Sequence, residues 1–382
     1  METSVFLEES GHESFVAFAS GYSNEKSLKM SSVADSMLHG FFSRLTGKQA
    51  YFSMNETRKL LKFIDEIKPN VVHLRNLHSN YINLNTLLKY LALNDIPTVL
   101  TLHDCWFYTG KCTHYTLDNC YKWKSECNNC PRLKKDNPSW FFDKTTEMYS
   151  DKKENFGNIK RLAVVGVSDW ITNEAKMSFL SNSKILRRIY NWVDLDIFKP
   201  SEVGDIKRKL GIEKKFVILG VASRWSEEKG LNTFIDLANN VSKDIAIVLV
   251  GNIESSTVLP PNIISIQETH DIKELVQYYS LADVFLNLSL EESFGKVTAE
   301  SLACGTPVIV LNSTANPELV GDGCGVIIED KDIQNLVTSI ENIKLNGKNM
   351  YKDKCIDFAH KNFSKYDRLN DYLTLYKDIT NS

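Results

Sequence analysis

The sequence predicts an α/β chain folded as two successive Rossmann-like domains, each a parallel sheet covered by helices, facing a central cleft. Three observations predict it. Short apolar runs alternate with segments whose apolar residues follow helical spacing, which is the rhythm of βαβ units. The rhythm fails once, over about residues 105–155, and a second series starts after residue 200. The length, 382 residues, suits two domains at roughly 100–200 residues each. The boundaries read from the pattern are 1–197 and 198–362, with a hinge near residues 194–200.

In the first half, residues 15–19 (FVAFA) read as a buried strand. Asn55 is expected to cap a helix carrying Leu60, Leu61, Phe63, Ile64 and Ile67 on one face, ended by Pro69. Residues 71–74 read as a strand, 81–93 as a helix and 97–102 as the next strand. Ligands of parallel sheets sit at the carboxyl ends of strands. Those ends are residues 75–78, with Arg75 and His78, and residues 103–104, with His103 and Asp104. After the irregular stretch, residues 162–167 read as a strand, 170–179 as a helix and 185–190 as a strand.

The second half repeats the alternation. Strands are expected at residues 215–221, 245–250, 263–266, 283–288, 307–311 and 325–328. Helices are expected at 230–241, 273–280, 296–304, 332–344 and 350–361, with a tyrosine-bearing helix over 365–379.

Composition narrows the function classes. Hydrophobic residues make up 43% and charged residues 24%, which excludes a disordered or collagen-like chain. The net charge of -3 argues against a nucleic-acid-coating protein. Residues 1–198 carry a net +3 and the remainder -6, which permits attraction of the first half to a membrane surface without demanding it. No run of about 18 apolar residues occurs, and residues 1–10 hold three glutamates and no basic region, so neither a spanning helix nor a signal peptide is expected. A cytoplasmic location follows as the expectation, with reduced cysteines.

The chemistry concentrates in residues 282–311, ADVFLNLSLEESFGKVTAESLACGTPVIVL. A strand ends, a loop carries Glu292, Phe294 and Gly295, and a helix opens at Lys296 and contains Glu300. A glycine at a helix N-terminus lets the backbone approach a phosphate that the helix dipole favours. Glu292 and Glu300 can point into one crevice and accept hydrogen bonds from sugar hydroxyls. Arg224 and Lys229 follow an earlier strand, five residues apart, and suit the stabilisation of a leaving diphosphate.

Five of the eight cysteines fall in the irregular stretch. Cys112, Cys120, Cys127 and Cys130 number the thiolates of a tetrahedral structural zinc, and plain thiols or disulfides stay open as alternatives. The stretch is lysine-rich, so it is expected to be too polar to order without such a cross-link. A zinc-knuckle RNA binder is disfavoured by the net charge.

The second half resembles the donor-binding domain of retaining glycosyltransferases of family 4, with the GT-B fold. Its E-x7-E element is matched by Glu292 and Glu300, and its R-x4-K element by Arg224 and Lys229. The first half resembles a bacterial surface-polysaccharide branch of that family through HLRNLH-x3-IN, TLHDCW-x2-TGKC, CYKWK-x2-C-x2-CP and VGVSDWIT. The resemblance implies transfer of a sugar from a nucleotide-diphosphate sugar to a glycan or lipid-linked acceptor, in capsule or lipopolysaccharide assembly at the inner face of the plasma membrane. It implies no metal in catalysis and no nucleic-acid partner. Glu300 would hold the ribose and Glu292 a sugar hydroxyl. Arg224 and Lys229 would stabilise the diphosphate beside Phe294, Gly295 and Lys296, and His103 would contact the donor sugar. Arg75, His78 and Asp104 would face the acceptor. A C-terminal helix over about 363–382 would pack back on the first domain. Family members begin with a strand and a Gly-rich loop that this sequence lacks, so a truncated or catalytically impaired transferase is the alternative expectation, and an epimerase or phosphorylase is disfavoured by the R-x4-K and E-x7-E pair.

Overall fold

The computed structural model describes residues 2–19, 21, 25–269 and 271–381. They form two units: Met1–Ile189 with Leu369–Ser382, and Tyr190–Arg368. Both are α/β with parallel sheets, the GT-B fold class.

The first unit runs α1 (Glu2–Glu9), β1 (Val16–Phe18), β2 (Ser27–Lys29), α2 (Val33–Thr46), α3 (Met54–Ile67), β3 (Val72–Leu74), α4 (Leu84–Leu93), β4 (Thr98–Leu102), α5 (Thr145–Gly157), β5 (Leu162–Gly166), α6 (Asp169–Lys176) and β6 (Ile185–Arg188). β3 to β6 lie side by side in sequence order, all parallel. Every residue of β4 and β5 is buried, as expected of strands covered on both faces. β1 and β2 pair as a separate two-stranded parallel sheet.

Several local expectations need correction. The helix near Asn55 starts at Met54, and its N-cap is Ser53 in left-handed conformation with no side-chain cap, so Asn55 lies inside the first turn. α2 and β2 had no counterpart in the sequence reading. The α2 signals were present: the Ser32 side chain accepts from Asp35 N, and Gly47 closes the C-terminus with φ 78°. Its apolar residues do not form a buried stripe, because Val33, Met37, Leu38, Phe41 and Phe42 stay exposed. The irregular stretch also ends earlier than expected, at α5.

The stretch between β4 and α5 holds only two 3-10 turns, Thr116–Asp118 and Lys122–Lys124. It is not too polar to collapse. Trp106, Phe107, Tyr108, Tyr115 and Trp123 are fully buried, with Trp123 packed 5.0 Å from Tyr108 and 5.2 Å from Tyr115. Its lysines assist: Lys122 donates to the carbonyls of Asn128 and Asn129, and buried Lys111 to those of Arg132, Leu133 and Lys135. An irregular backbone leaves carbonyls unpaired, and ammonium groups satisfy them.

The second unit runs α7 (Gly204–Leu210), β7 (Phe216–Arg224), α8 (Leu231–Asn240), β8 (Ile245–Asn252), β9 (Ile263–Ile266), α9 (Ile272–Leu281), β10 (Val284–Asn287), α10 (Lys296–Ala303), β11 (Val308–Leu311), β12 (Gly325–Ile328), α11 (Ile333–Asn346) and α12 (Asn349–Phe363). α13 (Lys365–Thr380) starts here and ends in the first unit. The six strands are parallel in the order β12-β11-β10-β7-β8-β9. From β7 the chain winds outward through β8 and β9. It then returns to β10 on the other side of β7. The carboxyl ends of β7 and β10 therefore flank the topological switch point, where open α/β sheets bind ligands.

Candidate functional site

Both charged motifs of the second half emerge at that switch point. The loop after β7 carries Lys229, and the loop after β10 carries Glu292. Lys229 Nζ donates to Glu292 Oε1 at 2.6 Å and to Ser289 Oγ at 3.3 Å. The loops are also tied by backbone, Leu290 N to Glu228 O at 3.0 Å. Gly230 makes this possible. Its φ is 85°, and a Cβ there would stand 2.7 Å from Leu288 Cβ, closer than side-chain carbons pack.

Arg224, at the end of β7, is exposed and pairs with Glu254 at 2.8 Å. It is within the same loop region as Lys229 but has a different carboxylate partner.

Gly295 caps α10 in left-handed conformation, φ 86° and ψ 55°, with no side-chain cap hydrogen bond. The first N–H groups of α10 therefore have no side-chain acceptor, the arrangement that suits an anionic oxygen. A buried amide network fixes this turn. Asn287 Nδ2 donates to Thr298 Oγ1 and Asn316 Oδ1, and Asn316 Nδ2 donates to Ser289 O. Thr314 Oγ1 accepts from Glu292 N at 2.8 Å. Sequence reasoning missed Asn287, Thr298, Asn316 and Thr314. Their only signal was the polar Asn287 closing an otherwise apolar strand.

Glu300 is 7% exposed. Burial pushes its carboxyl pKa up, against the opposing pull of Lys296 and the Tyr279 hydroxyl. Tyr279 OH donates to Glu300 Oε2 at 2.9 Å, and Lys296 Nζ stands 3.8 Å from Oε1. Such a carboxylate keeps acceptor capacity for a ligand hydroxyl. The Phe294 ring is buried, 5.8 Å from Tyr190 and 5.5 Å from Phe363. Only its backbone is placed to serve the turn.

In the first unit the candidates gather at the carboxyl ends of β3 and β4. His78 Nε2 and Asp104 Oδ2 are 3.0 Å apart, and Asp104 Oδ1 accepts from Trp106 N at 2.9 Å. Burial acts to raise the Asp104 pKa, but the hydrogen bonds from His78 and Trp106 prevail and hold it below the ordinary value. Burial, reinforced by the Arg75 charge, lowers His103 to about 4, so its imidazole is neutral at physiological pH. Arg75 Nε donates to His73 Nε2 at 3.3 Å, and the guanidinium lies 5.3 Å from the Tyr372 ring centroid. His73, unremarked in the sequence, also bonds Tyr376 OH and Thr101 Oγ1, each at 2.7 Å. Through this cluster the last turns of α13 are anchored to β3 and β4.

The four clustered cysteines, Cys112, Cys120, Cys127 and Cys130, line one small cavity in the irregular stretch. All are free thiols.

Residues 202–361, within the second unit, match the family described as Glycosyl transferases group 1. The chain is 22% identical over 275 residues, 70% of its length, to a putative colanic acid biosynthesis glycosyl transferase WcaC of Escherichia coli K12. The aligned stretches cover 56%, 66% and 42% of three curated relatives, less than two thirds of their length. Among solved structures, a glycosyltransferase from Rickettsia africae ESF-5 superposes with a TM-score of 0.71 at 16% identity, covering 99% of this chain and 93% of that one. Anabaena Alr3699/HepE in complex with UDP superposes with a TM-score of 0.62 at 17% identity, covering 85% and 82%.

Proposed function

We propose that the chain is a retaining glycosyltransferase that moves a sugar from a nucleoside-diphosphate sugar to a growing surface glycan or lipid-linked saccharide. The observation that carries this is the convergence of Lys229 and Glu292 at the switch point, beside the side-chain-free N-terminus of α10. A diphosphate needs a cation and backbone donors; a sugar needs carboxylate acceptors. In this reading Glu300 accepts from the ribose, Glu292 from a sugar hydroxyl, and Lys229, Arg224 and the Gly295 turn hold the diphosphate. The bond between the anomeric carbon and the diphosphate breaks, and its electron pair leaves on the phosphate oxygen. The acceptor hydroxyl bonds to the same face of the sugar and gives up its proton to the departing phosphate. The growing charge on the leaving group is what Lys229 would stabilise, with no metal. UDP sugars are the first donors to try, given the UDP complex of HepE.

His103, Arg75, His78 and Asp104 keep the roles toward sugar and acceptor that the resemblance gives them. A lipid-linked acceptor would bring the first unit to a membrane surface. In support, Phe41 and Phe42 of α2 and the loop residues Trp140, Phe141 and Phe142 are exposed together, with Phe41 and Trp140 in ring contact at 5.7 Å. Lys134 donates to the carbonyls of Ser139 and Trp140, which puts a cation beside the aromatic patch. Exposed aromatics flanked by basic side chains suit the interface of an anionic bilayer.

The test is incubation with a panel of sugar nucleotides and lipid-linked acceptors, following nucleoside diphosphate release and reading the anomeric coupling of the product by NMR. Product of inverted configuration would refute retention. Failure of every nucleoside diphosphate to bind in calorimetry would refute the site.

A further inference from the structure

We propose that Cys112, Cys120, Cys127 and Cys130 bind one structural zinc ion as a closed tetrathiolate site in the first unit. The four side chains come from separate points of the stretch between β4 and α5, yet they line a single cavity of about 20 Å³. That volume is room for one water or one ion. Cys127 and Cys130 each interact electrostatically with the other three cysteines.

Burial pushes the thiols of Cys112, Cys127 and Cys130 up, so the metal itself would have to displace their protons. Gly110 N–H points at Cys127 Sγ at 3.2 Å. Hydrogen bonds from the backbone to sulfur are the outer contacts that orient metal ligands. Lys111 and Lys152 are 2% and 4% exposed, and each interacts electrostatically with two of the cysteines. Their ammonium groups donate to carbonyls only: Lys111 to Arg132, Leu133 and Lys135, and Lys152 to Trp106, Thr109 and Gly110. Burial lowers the pKa of both lysines, Lys152 to about 7, and each also faces carboxylates: Asp136 and Asp143 for Lys111, Asp104 for Lys152.

The thiols ring the cavity without closing it. Among the described residues, no group of three or more His, Cys, Asp or Glu side chains is placed to hold a metal ion as the structure stands, so the four sulfurs would have to converge on binding. Metal binding must draw the sulfurs to about 2.3 Å from the ion. All four ligands are protein sulfur, so the ion has no open position and no part in the transfer chemistry. Its work would be to fasten the loop that follows His103 and Asp104.

Full-length protein, purified without chelator or metal-affinity resin, should contain about one zinc per chain by elemental analysis. Titration with a mercurial thiol reagent should release that zinc in step with modification of four thiols. Metal-free protein reconstituted with cobalt(II) should show thiolate-to-cobalt charge transfer and the absorption of a four-coordinate ion. Cys130→Ser should lose both signals, while Cys304→Ser, in the other unit, keeps them. The release titration uses the unaltered protein, so it remains decisive if Cys130→Ser does not fold. Less than about a tenth of an equivalent of zinc with no cobalt charge transfer would overturn the proposal, whether the thiols then titrate freely or prove to be disulfides.

Discussion

Lys229 Nζ and Glu292 Oε1, 63 residues apart in sequence, stand 2.6 Å apart at the carboxyl ends of adjacent strands. The pair couples the cation expected to receive phosphate charge to the carboxylate expected to receive a sugar hydroxyl. Lys229→Ala should lower turnover about 10²-fold or more and change donor affinity less, because leaving-group charge grows toward the transition state. Glu292→Gln should keep its affinity for UDP or whichever diphosphate binds, since Lys229 is released to it, and should lose sugar transfer. Loss of donor affinity with kcat unchanged would show that Lys229 serves binding alone.

Glu300→Gln should weaken nucleotide binding by roughly ten- to hundredfold, the cost of one charge-assisted hydrogen bond at about 1.5–3 kcal/mol. The same variant should melt higher than the parent at pH 8. Burial raises the Glu300 pKa in the fold above its unfolded value, so the ionised form destabilises the native state at high pH. The gain should vanish as pH falls through the raised pKa. Calorimetry and thermal denaturation of the two proteins at pH 8 and pH 5 check both halves.

The first unit should be acid-sensitive. His39 and His103 are lowered to about 4 by burial, and His73 is driven well below its ordinary value, also by burial. Each folded pKa lies below the unfolded one, so the unfolded chain binds more protons between about pH 6.5 and 4, and stability falls on acidification through that window. For His39, 2% exposed, the contribution is roughly 3 kcal/mol. Urea denaturation at pH 7.5 and 5 should show a lower midpoint at pH 5, and His39→Gln should flatten the dependence. Identical midpoints in the parent would refute the assignment.

Phe41→Ser with Phe141→Ser should reduce sedimentation with anionic lipid vesicles several-fold while leaving UDP binding intact. The parent should lose its vesicle binding at high salt in part only, since aromatic insertion is not screened. No sedimentation of the parent with any vesicle would remove the membrane from the proposed function.

The alternating sheets were legible because β4, β5, β8 and β10 are short, mostly apolar runs rich in Val, Ile and Leu, as buried parallel strands are. The E-x7-E and R-x4-K residues were legible as motifs, and the structure places Lys229 with Glu292. The packing of the Phe294 ring was not legible, since a phenylalanine beside a glycine turn looks alike whether its ring meets ligand or core. α2 escaped because helix recognition relied on a buried apolar stripe, and its apolar residues are exposed. The collapse of the irregular stretch escaped because lysines were counted as solvent-seeking, whereas Lys111 is an internal donor to the carbonyls of Arg132, Leu133 and Lys135. The amide network of Asn287 and Asn316 joins positions 29 residues apart, and no local pattern records such a pairing.

The contact of Gly230 with Leu288 sets the gap between the two charged loops by main chain and a core carbon, with no flexible side chain in between. The site therefore has a built-in gauge. One methyl added at residue 230 would work as a shim, separating ammonium from carboxylate while leaving both present and correctly charged. Gly230→Ala would be a protein with every recognised motif intact and the wrong distance between them, and no inspection of its catalytic residues would show why it fails.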